Sequence, residues 1–346
     1  MQPWLLYGAN GYTGTLIARE AVRRGLSPIL AGRNTDAIAA LARELGLTYR
    51  VFPVTAPVLG EVALVLHCAG PFSTTGALMM DACLRAGAHY LDITGEIDVF
   101  EQAWARDAQA RNAGVVLCPG VGFDVIPTDC IAAALKHALP DARRLALGFD
   151  SQSAVSPGTA RTAVEALARP GRVRRDGRII DVPQAWRVRR IDFGGGERTA
   201  MTIAWGDVST AFYSTGIPDI EVYVSATDRI VRAARISNQL RWLLGLAPVQ
   251  SLLKRGAGRM AGPAASTRAR QVTYVWGEAE NTAGTRRVAR IRTANGYDVT
   301  VHGSLAVAQF LLERDGLGGT FTPSMLMGRK FVEQLPGSGT IQMAAH

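Results

Sequence analysis

A chain of 346 residues that is 48% hydrophobic can bury one large core or two smaller ones, which excludes a disordered chain. Its formal charge is +9, almost all of it from arginine, since lysine occurs only at Lys136, Lys254 and Lys330. No run of eighteen apolar residues is present, so no membrane span is expected. The four cysteines, Cys68, Cys83, Cys118 and Cys130, are widely spaced with no C-x-x-C pair, which argues for reduced thiols and no metal site.

Met1-Gln2-Pro3 runs straight into an apolar stretch without the basic and apolar series of a secretory signal, so a cytoplasmic protein is expected. That stretch, Trp4–Tyr7, meets the turn Gly8-Ala9-Asn10-Gly11-Tyr12-Thr13-Gly14, and a helical pattern follows over 13–24. Strand, glycine turn and helix in this order are the setting of a dinucleotide fingerprint, here spaced G-x-x-G-x-x-G. Gly8 suits a tight turn, Gly11 leaves its backbone open to a pyrophosphate, and Gly14 lets the helix lie close to the strand. The helix N-terminus then faces the phosphates. The other reading is a glycine-rich turn that binds nothing.

The chain to about residue 125 alternates apolar runs (28–31, 48–52, 64–68, 89–93, 115–117) with amphipathic stretches (35–44, 75–86, 97–112). Gly25, Gly46, Gly87 and Gly114 stand where helices should end. This predicts a Rossmann-type, doubly wound parallel α/β sheet that binds its ligand at the carboxyl ends of the strands. The second run ends in Gly32-Arg33, where an NAD site usually carries a carboxylate for the ribose hydroxyls. A guanidinium there can grip a 2′-phosphate, so NADP(H) is favoured over NAD(H). Alternatively Arg33 is a solvated strand end, with Asp36 within reach of a ribose.

The fourth run ends in Cys68-Ala69-Gly70-Pro71-Phe72, a small-residue loop suited to passing close to a cofactor, with Phe72 as a wall for the nicotinamide. The next loops deliver Asp92, Glu96 and Asp124 to the same sheet edge. Asp124, Glu96 and Tyr12 are the candidate proton donors. Each carboxylate also has a structural reading, as a helix cap for Asp92 or Glu96 and a turn former for Asp124. No tyrosine has a lysine four residues on, which removes a short-chain dehydrogenase mechanism, and Cys118 lacks an evident partner base.

From residue 143 the pattern alternates as in β-strands, over 143–150, 172–182, 185–193, 198–205, 220–226, 268–280 and 286–302, with helices at 128–138 and 159–168. Asp176-Gly177 and Asn295-Gly296 read as hairpin turns. The basic runs Arg172-Val173-Arg174-Arg175 and Arg187-Val188-Arg189-Arg190 fit half-buried strands, and without an RNA-binding aromatic pattern no nucleic-acid partner is expected. The division predicted is 1–126 as nucleotide-binding domain, 127–302 as an α+β substrate or homodimerisation domain on a mainly antiparallel sheet, and 303–346 packing back on the first. The stretch 237–260 is apolar (Leu240, Trp242, Leu243, Leu252) with a basic end (Lys254, Arg255, Arg259). Such a stretch is usually a core-facing helix pair; its other readings are peripheral membrane contact or a cover over an oily substrate.

The early motifs as a set, with Ala88-His89-Tyr90-Leu91-Asp92-Ile93-Thr94-Gly95-Glu96, Pro119-Gly120-Val121-Gly122-Phe123-Asp124, Ser156-Pro157-Gly158-Thr159 and Gly318-Gly319-Thr320-Phe321-Thr322-Pro323, resemble the saccharopine dehydrogenase-like oxidoreductases, in the branch that includes trans-acting enoyl reductases. The resemblance implies an NADP-binding Rossmann domain, a second α+β domain and hydride transfer to a small, lipid- or polyketide-like enoyl or keto substrate. It supplies no shared catalytic residue. The alternatives are a non-catalytic NADPH-binding sensor or scaffold at a lipid surface and a saccharopine-like C–N reductase.

Overall fold

The computed structural model describes residues 2–151, 160, 163–164, 166–257, 264–268 and 270–345. The chain divides into two compact units, one made of 1–126 with 297–327, the other of 127–296 with 328–346.

The first unit is built on a seven-stranded parallel sheet. Its strands are β1 (Trp4–Tyr7), β2 (Ile29–Gly32), β3 (Tyr49–Val51), β4 (Leu64–His67), β5 (His89–Asp92) and β6 (Val116–Cys118), with Gly319–Thr320 added beside β6. The order is 3-2-1-4-5-6, the added strand lying outermost, which is the doubly wound arrangement. Every residue of β1 and β4 is buried, as expected of central strands covered on both faces. Helices α1 (Tyr12–Arg23), α2 (Thr35–Leu45), α3 (Phe72–Ala86), α4 (Ile97–Trp104) and α5 (Asp107–Ala113) supply the cover. Leu5, Val65, Tyr90 and Leu117 of the sheet pack with Met79, Met80 and Val99 of the helices into one core. Gly46, Gly87 and Gly114 end their helices in the left-handed conformation.

The expected helix over 97–112 is two, because the backbone leaves the helix between Trp104 and Asp107; Arg106 there reaches across to Asp81 at 2.7 Å. The Gly318–Pro323 motif lies against α5: a Cβ on Gly318 would stand 3.1 Å from the Gly114 Cα, and Thr320 takes Asp107 Oδ1 on its N–H at 2.7 Å.

The second unit holds a nine-stranded mixed sheet. Its strands are β7 (Arg144–Ser151), β8 (Gly171–Arg175), β9 (Arg178–Val182), β10 (Val188–Asp192), β11 (Glu197–Ile203), β12 (Asp219–Ser225), β13 (Val272–Glu280), β14 (Arg286–Ala294) and, beyond β15 (Gly319–Thr320) of the first unit, β16 (Gln342–Ala345). Its pairings are antiparallel except β7 with β12. Asp176 and Gly177, both at positive φ, turn β8 into β9 as their identities require. Helix α6 (Ile126–Ala138) lays Ile131 and Leu135 over Gly277, where a Cβ would collide with both.

Three expectations are corrected. Asn295-Gly296 is not a hairpin: β14 ends at Ala294 and a helix runs over Gly296–Leu312. Val299, Thr300 and Val301 favour a strand locally, but burial of Val299, Leu305, Val307 and Ala308 along that helix outweighs their propensity. The segment 303–346 does not stay together. Residues up to 327 lie in the first unit, whereas 328–346 lie in the second, where β16 pairs with β14. The part of 237–260 that is described is not a buried pair, since the helices Asp228–Leu244 and Ala247–Ala257 leave Trp242 and Leu252 about 70% exposed. The Ser156–Thr159 motif and Arg259 lie outside the described residues.

Candidate cofactor and active site

The strand order reverses between β1 and β4, and the loops after these two strands touch. Gly8, at φ +80°, follows β1 directly; a Cβ on it would stand 2.8 Å from the Ala69 nitrogen in the loop after β4. Its N–H and that of Ala9 both donate to the Ala31 carbonyl of β2, at 2.7 and 3.2 Å, which pins the turn across the sheet end. Gly14 is needed for a different reason, because a Cβ there would lie 2.3 Å from the Gly8 carbonyl oxygen and 2.9 Å from the Ala9 Cα. At Gly11 a Cβ would meet only the Gly8 oxygen, at 3.2 Å, and otherwise open space. Gly11 caps α1 with no side-chain hydrogen bond, and no carboxylate stands in the first turn. A helix end left with its dipole uncompensated at the switch point of a parallel sheet is chemically matched to a pyrophosphate. Tyr12 and Thr13, both half-buried, belong to this first turn.

Arg33 follows β2 immediately, is exposed, and forms no ion pair with a described residue. The Asn10 side chain lies over Gly32, the residue before it: a Cβ on Gly32 would be 3.1 Å from Asn10 Oδ1. Asn34 is committed to capping α2, accepting from the Ala37 N–H at 3.0 Å, and Asp36 stands exposed in that helix's first turn.

The loop after β4 carries Cys68, Ala69 and the cis peptide Gly70–Pro71 before entering α3 at Phe72. Burial pushes the Cys68 thiol far up, so it is no thiolate at neutral pH. The Phe72 ring is turned into the core, edge-on to His67 at 5.3 Å, so this position presents main chain rather than an aromatic wall. His67 is wholly buried and held neutral, its pKa lowered to about 3 by burial, with Nε2 3.0 Å from Thr75 Oγ1.

The three carboxylates sort by their surroundings. Asp92 is fully buried; it accepts from Tyr90 Oη at 2.7 Å, Thr94 N–H at 3.0 Å and Gly120 N–H at 2.8 Å. It ties the end of β5 to the loop after β6. Glu96 grips the start of α3 with both oxygens, accepting from Phe72 N–H at 2.9 Å and Ser73 N–H at 2.8 Å, the helix-capping role. Asp124 is half-buried, its Oδ2 2.8 Å from where a Cβ on Gly95 would sit. Burial, and then the Glu96 charge, push its carboxyl up to about 7. Asp124 combines partial exposure with a proton to give near neutral pH, whereas Asp92 is fully buried and both oxygens of Glu96 are engaged by main-chain N–H groups.

Two residues of this region were not singled out in the sequence. Tyr297 packs edge-on against Tyr12 at 5.0 Å, and Thr300 Oγ1 accepts from the Phe123 N–H at 3.0 Å while its methyl group lies over Gly122. The helix that carries them thus braces both the glycine turn and the loop holding Asp124. The Asn-Gly turn signal directly before it concealed this helix. Among the described residues no group of three His, Cys, Asp or Glu gathers to hold a metal, and no helix is long and apolar enough to cross a membrane.

Comparison with known proteins agrees with this geometry. Residues 4–118 match the family model described as the saccharopine dehydrogenase NADP binding domain. A putative trans-acting enoyl reductase of Mycobacterium tuberculosis is 26% identical, over 97% of this chain and 95% of that protein. A probable mitochondrial saccharopine dehydrogenase-like oxidoreductase of Arabidopsis thaliana is 31% identical, over 36% of this chain and 32% of that one. Among solved structures, saccharopine dehydrogenase (L-Glu forming) from Saccharomyces cerevisiae shares the fold over the full length of both chains, with a TM-score of 0.65 at 12% identity. Residues 4–118 thus match a saccharopine dehydrogenase-type NADP-binding domain, and the chain as a whole is similar to NAD(P)-dependent oxidoreductases.

Proposed function

We propose that the protein is an NADPH-dependent reductase acting on a C=C (enoyl) or C=O bond of a lipid- or polyketide-like substrate. The observation that carries the cofactor half is the uncapped start of α1 at the β1–β4 switch point, with the exposed Arg33 at the end of the neighbouring strand β2. Gly8, Asn10, Gly11, Tyr12, Thr13 and Gly14 would hold the pyrophosphate, and Arg33 the 2′-phosphate, for which a guanidinium offers two parallel donors. Cys68, Ala69, Gly70, Pro71 and the Phe72 main chain would line the side toward the nicotinamide. When bound, the reduced nicotinamide supplies a hydride.

The chain's own part is to seat that group and hold a proton. Asp124, with its carboxyl raised to about 7, retains a proton at neutral pH and is the favoured donor to the atom next to the reduced one. Glu96 acts on it at one remove, by its charge and by fixing α3. The similarity to a putative trans-acting enoyl reductase over nearly the whole chain supports the enoyl reading. A cytoplasmic location is part of the same proposal. NADPH oxidation measured with a panel of enoyl and keto thioesters tests it. Turnover of an enoyl thioester is expected. Tight NADPH binding with no turnover on any acceptor would instead support a non-catalytic sensor, and turnover only of 2-oxoacid and amine mixtures a C–N reductase.

A further inference from the structure

The helix Asp228–Leu244 meets its own unit along one stripe. Val231 and Ala234 pack with Ala185 and Met201, and Asn238 exchanges two hydrogen bonds with the Gln184 main chain, at 2.8 and 3.1 Å. These positions share one helix face. Ile236, Leu240 and Leu243, spaced i, i+4, i+7, form a second stripe on the opposite side, and all three are exposed. Trp242, one turn beyond Asn238 where the anchored face runs out, is 71% exposed, and Leu252 is 69% exposed on the helix Ala247–Ala257. A helix that only covers a core carries polar residues outward, whereas this one carries Ile236, Leu240 and Leu243 outward among its arginines. Lone exposed apolar residues are ordinary; a stripe of three on a helix that also exposes an indole at its end is not.

The charge says what covers it. Residues 228–257 carry Arg229, Arg232, Arg235, Arg241, Lys254 and Arg255 against the single carboxylate of Asp228. A second copy would bring two such cationic faces together. Anionic headgroups complement the cations while their acyl boundary takes Ile236, Leu240 and Leu243. Neither helix can cross a bilayer. We infer that this helix pair seats the protein on the surface of an anionic lipid bilayer, its apolar stripe entering the headgroup–acyl boundary. The binding stands without the reductase reading; that it brings the enzyme to a membrane-held substrate rests on that reading.

Sedimentation of the full-length protein with vesicles of phosphatidylcholine alone, or with about a third phosphatidylglycerol, tests it. The protein should sediment with the anionic vesicles, less so at high salt, and scarcely with the neutral ones. The double variant Leu240→Glu, Leu243→Glu should lower the bound fraction on the order of tenfold or more, with circular dichroism and NADPH binding unchanged, because both side chains are exposed. Arg232→Glu with Arg235→Glu should lower both the bound fraction and its salt dependence. Wild-type protein left in the supernatant of anionic vesicles would overturn the inference. So would equal sedimentation of the leucine variant, or a dimer in light scattering that the leucine variant dissolves. NADPH oxidation assayed without vesicles separates failure here from failure of the proposed function.

Discussion

Two of the glycines after β1 have different jobs, and alanine at each should separate them. At Gly14 the added Cβ would lie 2.3 Å from the Gly8 carbonyl oxygen, against the 3.4 Å at which ordinary contact begins. The obstacle is backbone, so no side-chain rotation relieves it, and α1 must move by about 1 Å from β1. Alanine gains about 1 kcal/mol over glycine in a helix, but overpacking of this kind costs about 1–3 kcal/mol or more, and the contact here is with the main chain of both Gly8 and Ala9. Gly14→Ala should therefore lose about 1–2 kcal/mol of unfolding free energy and weaken NADPH binding as well, since the turn shifts. At Gly11 the added Cβ would meet only one oxygen, at 3.2 Å, and the backbone is extended at φ −75°. Gly11→Ala should cost less than about 1 kcal/mol of stability while weakening NADPH binding about tenfold or more, because the methyl group occupies space held open for phosphate. Urea unfolding gives the first quantity and fluorescence titration with NADPH the second. Gly14→Ala as stable as wild type would refute the packing argument. Gly11→Ala binding NADPH undiminished would show the phosphates lie elsewhere.

Other outcomes follow from the carboxylates and the buried imidazole. Asp124→Asn should lower kcat by about a hundredfold or more and remove a fall in rate above pH 7, read from a pH–rate profile. Because its folded carboxyl titrates near 7 and an unfolded one near 4, wild-type stability should decline as pH rises between those values, and the Asn variant should lack that slope in urea melts at pH 4.5 to 8. Glu96→Gln should cost about 1–2 kcal/mol through the lost cap on α3, and should move the Asp124 limb to lower pH by removing the nearby charge. His67, lowered to about 3 by burial, should show no titration between pH 5 and 8 in its ring NMR signals. The unfolded chain takes up that proton below about 6.5, so His67 favours unfolding as pH falls through that value.

The nucleotide-binding half was legible because its signals are local. Apolar runs of four or five residues, glycine helix ends and the Gly8–Gly14 turn each depend on neighbours a few residues away, and the strands and helices through β6 lie within a few residues of where those signals put them. What escaped depends on partners distant in the chain. The sequence over 295–302 alternates like a strand, and only packing beside Gly122 and Tyr12 makes it a helix. The capping role of Glu96 needs α3 to begin at Phe72, which in turn needs the Pro71 turn and the carboxylate itself. Residues 328–346 show no pattern of their own and find their place through β14. The apolar content of 237–257 was plain, but which stripe faces outward is set by the anchoring of Val231 and Asn238.

The central claim is that the start of α1 and Arg33 together receive a phosphorylated nicotinamide nucleotide, and titration calorimetry with NADPH and NADH on wild type and Arg33→Asp tests it most directly. A charge-assisted pair with the 2′-phosphate is worth about 1.5–3 kcal/mol, which corresponds to about a ten- to hundredfold preference for NADPH that the aspartate variant should abolish or invert. Equal weakening of both nucleotides in the variant, or no binding of either to well-folded wild type, would contradict the account.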